Sequence, residues 1–93
     1  MGDYETKLVE EYKRSGQLTD RMFATLEVLE RGPHTHPQLE METERAKGNL
    51  LRPLQELGFV YMDRGQRPPV YSITDAGKEA LLKCRQRRAR DNK

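Results

Sequence analysis

A chain of 93 residues has room for one domain built on one modest core. Charged and apolar residues each make up 34% of it and aromatics only 6%, a balance that suits a small helical domain with a hydrated surface and argues against a large ligand cavity. The net charge of +2 is unevenly spread: residues 1–62 carry eight Lys and Arg against eleven Asp and Glu, and residues 63–93 carry nine against four, so the last third offers either a phosphate-seeking face or a solvated basic tail.

In the first segment, Tyr4, Leu8 and Tyr12 fall at i, i+4 and i+8 with Val9 beside them, which predicts an amphipathic helix stopped by Gly16. That stripe must be covered, by its own domain or by a second copy, and a role in a homodimer is the preferred reading. Thr19 is placed to cap a second helix whose core face is Met22, Phe23, Leu26 and Leu29, with Val28 at its edge and Gly32-Pro33 closing it. Thr35 then caps a short helix that tolerates Pro37 in its first turn, and Gln38 stands at capping-box spacing from it. Leu39 is the core residue of this helix.

Thr43 reads as a further N-cap, with Glu44 in the first turn of a helix over 43–57. Ala46, Leu50, Leu51, Leu54 and Leu57 form its apolar side and Gly58 its C-terminal stop, while Pro53 is expected to bend the axis. "FVYMD" and "VYSIT" alternate as strands around the turn "RGQRPP", in which Gly65 is expected to supply the reversal. Thr74 caps a last helix, where Ala76, Ala80 and Leu81 are expected to pack, with Leu82 near the edge, before a basic end.

Helix, short helix, helix, hairpin, helix is the order of a winged helix-turn-helix. "LLRPLQELGFV", followed by "YSITDAGKEALL", resembles the recognition-helix end and hairpin exit of bacterial winged-helix regulators of the MarR and PadR families. The resemblance spans roughly 18–82. It implies an α+β, mainly helical fold, a three-helix core with a β-hairpin wing, flanked by an N-terminal helix in 1–17 and a basic helix end or tail in 83–93. It also implies a sequence-specific transcriptional regulator that binds double-stranded DNA, as a homodimer on a palindromic site.

In such a domain the second helix of the motif enters the major groove. With the leucines inward, Arg45, Gly48, Asn49 and Arg52 face outward; Arg can grip guanine and Asn adenine through paired hydrogen bonds. Gly48 permits close backbone approach, and Lys47 can extend past the core toward a phosphate. On the wing, Arg64 and Arg67 suit the adjacent minor groove or backbone, and Pro68 and Pro69 stiffen the tip. Thr35, Gln38 and Thr43 stand at helix starts, as caps or as phosphate contacts.

Other chemistries find less support. His34, His36 and the single Cys84 have no zinc-like spacing, so no metal or cofactor is expected. Ser72, His36, Asp75 and Cys84 offer a catalytic set only on paper, and no Gly-rich phosphate loop is present, so an enzyme is not expected. The lone cysteine and the lack of a long apolar run or a signal-like start predict a cytoplasmic protein off the membrane. The rival to a DNA-binding regulator is a winged-helix adaptor or inhibitor of a DNA-associated protein, favoured by the acids Glu40, Glu42 and Glu44. A small-molecule effector is left open.

Overall fold

The computed structural model describes residues 3–42 and 50–91. It is a small α+β fold, mostly helical, in the order α1 (Asp3–Ser15), α2 (Asp20–Glu30), β1 (His34–Thr35), α3 (His36–Glu42), α4 (Leu51–Glu56), β2 (Val60–Asp63), β3 (Val70–Ile73) and α5 (Asp75–Asp91). The sheet is antiparallel in the order β1-β3-β2, with His34 opposite Tyr71 and Val60 opposite Ile73. The hairpin matches the expected strands closely. The two-residue strand β1 has no period of its own, and only its pairing with β3 defines it.

Local chemistry sets the helix ends. The Thr19 hydroxyl accepts from Met22 N at 3.2 Å. Thr35 and Gln38 cap reciprocally: Thr35 N donates to Gln38 Oε1 (3.0 Å) and Gln38 N to Thr35 Oγ1 (3.3 Å). At the end of α4, Gly58 takes φ 80°, so that Gly58 N reaches the Gln55 carbonyl (3.0 Å) and Phe59 N the Leu54 carbonyl (2.9 Å). This pair of bonds is a Schellman closure, and it needs a residue at ease in the left-handed region. Pro53, expected to bend a longer helix, sits buried in the first turn of the described α4. Thr43, Glu44 and Ala46 lie outside the described residues.

One core joins the elements. Leu26, Leu54 and Leu81 are fully buried at its centre, with Met22, Leu29, Leu39 and Leu50 around them. Burying each such side chain contributes about 1.5–3 kcal/mol relative to exposure. Leu8 and Val9 are buried within this single chain, and the half-buried Tyr12 sets its ring edge-on to Phe59 at 5.2 Å. The described part of the α1 stripe is therefore covered by its own domain, so the reason for assigning it to a dimer falls away; the Tyr4 side chain lies outside the described residues. Ala76 does not pack as expected. It is exposed, and Gly77 is buried instead, because the inward face of α5 runs Gly77, Ala80, Leu81, Cys84.

The basic end of α5 is helical through Asp91. Arg85 donates to Glu30 (2.8 and 3.1 Å) and Glu27 (3.4 Å), and Arg88 donates to Asp20 (2.7 Å) while its guanidinium lies 4.0 Å over the Phe23 ring. Part of the cationic surplus is thus spent against α2, not offered to solvent. Among the described residues no helix is long and apolar enough to cross a membrane.

Candidate nucleic-acid interface

The expected contact residues divide into three groups. The first is the approach to α4. Thr43, Arg45, Lys47, Gly48 and Asn49 lie outside the described residues. Arg52 is exposed on α4 between the buried Leu51 and Pro53, on the outward side that the leucine spacing requires.

The second group is the hairpin tip. Asp63 and Val70 close the ladder, leaving residues 64–69 as a six-residue loop. Its reversal is built by a side chain: Asp63 Oδ1 accepts from Gly65 N at 2.9 Å, and Asp63 Oδ2 from Gln66 Nε2 at 3.4 Å. This is an Asx-type turn, and Gly65 keeps a negative φ, so the expectation that the glycine supplies the reversal is corrected. The peptide between Arg67 and Pro68 is cis. Arg64 and Arg67 are exposed, and no hydrogen bond or ion pair among the described residues occupies either guanidinium. The tip therefore presents two fully available forks on a loop held by Asp63.

The third group is the β1–α3 corner. Thr35 and Gln38 are drawn together by the cap, which uses the Thr35 hydroxyl oxygen and the Gln38 carbonyl oxygen as acceptors. The Thr35 O–H and the Gln38 amide N–H groups remain able to donate. Beside them the His34 Nδ1–H donates to the Gly32 carbonyl at 2.7 Å, while His34 Nε2 lies 3.4 Å from Glu42. Arg31 approaches Glu42 at 3.8 Å, and His36 lies 3.6 Å from Glu40. Arg31 thus stands beside Glu42, which softens the opposition of that acid to a polyanion.

Sequence reasoning missed two features of this surface. Tyr61, opposite Ser72 on the hairpin, is 60% exposed, and Met41, between Glu40 and Glu42, is 86% exposed. Strand alternation from the buried Val60 is the signal that turns Tyr61 outward. The carboxyl of Glu30 is held below its ordinary 4.5, first by its hydrogen bond to Arg85, against an opposing desolvation cost. Arg85 is correspondingly raised by Glu30. These shifts belong to the α2–α5 seam, away from the hairpin. No group of three or more His, Cys, Asp or Glu suited to a metal ion occurs among the described residues. Compared with known protein families, with curated proteins and with solved structures, the chain matches none.

Proposed function

We propose that this chain is a winged helix-turn-helix protein that binds double-stranded DNA as a sequence-specific regulator. The observation that carries the reading is the sheet order β1-β3-β2, in which a short strand before α3 pairs with the second strand of an arginine-tipped hairpin behind α4. That order ties the hairpin to the corner between α2 and α3, as a winged helix requires. In this reading the 43–57 segment lies in the major groove, and Arg45, Asn49 and Arg52 address base edges. Lys47, Arg64 and Arg67 meet phosphates or the adjacent minor groove, with Tyr61 as a further hairpin contact. Gly48 lets the backbone approach closely, and Thr35, Gln38 and Thr43 add phosphate donors at helix starts.

Selection from a random duplex pool tests this directly, followed by two variants. Asn49→Ala should cost about 1–3 kcal/mol at one base pair and relax preference there. Arg67→Ala should weaken binding to all sequences alike and lower the salt slope by about 1. Recovery of no common sequence, or equal effects of both variants on every duplex, counts against the assignment. A homodimer on a palindromic site belongs to the proposal, using a surface other than Leu8 and Val9. Sedimentation at micromolar concentration checks it, and a clean monomer removes the palindrome.

A second reading is a winged-helix adaptor that contacts protein. It is favoured by Met41, a large apolar side chain standing in solvent between Glu40 and Glu42. Binding to a partner that Met41→Lys abolishes while duplex binding is absent would support it.

A further inference from the structure

A groove between the end of α1 and the face of α5 from Ala80 to Arg88 plays no part in the DNA reading. Its volume is about 430 Å³, inside the range of about 300–1,000 Å³ typical of small-molecule sites. One wall is a single helical face, since Ala80, Lys83, Cys84, Arg87 and Arg88 follow at spacings of three, one, three and one along α5. The other wall is Tyr12 and the loop Gly16-Gln17-Leu18, where Gly16 at φ 72° turns the chain out of α1.

Chemistry separates floor from rim. Leu18 and Ala80 are buried, and Tyr12 and Cys84 are half-buried against the core, and these four supply the apolar part of the groove. The rim carries Lys83, Arg87 and Arg88 against one carboxylate, Asp20. Asp20 is already answered by Arg88 at 2.7 Å, with that guanidinium held over Phe23. Arg87 is exposed and has no hydrogen-bond or ion-pair partner among the described residues. Lys83 meets Glu79 at 3.3 Å across an exposed helical turn, a weak pairing that a better anion displaces.

We propose that this groove binds a small organic anion, an aliphatic monocarboxylate whose tail lies on Tyr12, Leu18, Ala80 and Cys84. Arg87 and Lys83 hold the carboxylate at the rim. A neutral tail alone forfeits the charge-assisted bonds, and a cationic headgroup meets like charge. The site is independent of DNA binding, and neither its success nor its failure bears on that reading.

The test is titration of the full chain with octanoate, octan-1-ol and octyltrimethylammonium, followed by amide chemical shifts. Octanoate should give saturable shifts at Leu18, Ala80 and Cys84. Octan-1-ol should bind about tenfold more weakly, for want of a charged acceptor, and octyltrimethylammonium should give no saturable shift. Arg87→Glu alters an exposed side chain and should leave the remaining spectrum intact, while lowering octanoate affinity about tenfold or more; Arg87→Gln should fall between. Shifts that do not saturate or lie elsewhere, equal binding of the three probes, or undiminished binding by Arg87→Glu would overturn the proposal.

Discussion

Thr74 ties three backbone segments together at one point of the fold, and its carbonyl also accepts from Lys78 N (2.9 Å) in the first turn of α5. Its hydroxyl donates to the Gly58 carbonyl (2.5 Å) and accepts from Gly77 N (3.1 Å), and its own N–H donates to the Phe59 carbonyl (2.9 Å). The cap was readable from its place before Asp75; the reach across sixteen residues to Gly58 was not, because no local pattern encodes it. The two segments that carried the family resemblance, around Gly58-Phe59 and Thr74-Gly77, are thus in direct contact. Thr74→Ala should cost about 1–2 kcal/mol, as cap losses do. Gly77 is more constrained, since an added Cβ would press on the Phe59 carbonyl and stand 2.8 Å from Ile73 Cγ1. Gly77→Ala should destabilise by about 1–3 kcal/mol. Thermal unfolding checks both changes, since each kcal/mol lowers Tm by about 4–8 °C in a domain of this size. An unchanged Tm for Gly77→Ala would show that the two segments separate easily.

Between elements, the seam of α2 and α5 shows what charge counting alone conceals. Asp20, Glu27 and Glu30 lie at spacings of seven and three on α2, one helical face, and Arg85 and Arg88 answer them from α5. Sequence order gave a basic end, and the complementary acidic face was the signal that the end had a partner. Exposed pairs of this kind are worth about 0–1 kcal/mol each, so their loss should loosen α5 locally and leave the core folded. Glu30 has a lowered native pKa, so its contribution is complete above the ordinary carboxylate range and is lost as pH falls through the lowered value. Amide protection in the last turns of α5, taken relative to the intrinsic exchange rate at each pH, should drop as pH falls through that range, and Arg85→Ala should remove most of this drop by removing its cause. Pairing with α2 also explains why the basic surplus is not one continuous face: Arg64 and Arg67 remain available at the hairpin while Arg85 and Arg88 do not.

At the scale of the whole molecule, helix order, hairpin and core were legible because each rests on periodicity or capping, and Leu26, Leu54 and Leu81 occupy the expected positions. The strand β1 was not, since two residues carry no period and depend on β3. For the candidate interface, exposure of Arg52, Arg64 and Arg67 follows from the positions of the leucines and the turn, whereas the role of Asp63 in building that turn required the hydrogen bonds. The most direct measurement is fluorescence anisotropy of a labelled random duplex titrated with the full chain at about 50 and 200 mM salt, where each neutralised phosphate contributes a slope of about −0.9. A duplex-binding winged helix predicts tight association at the lower salt and a steep loss at the higher, with Arg64→Ala and Arg67→Ala each flattening the slope. No binding at the lower salt would contradict it.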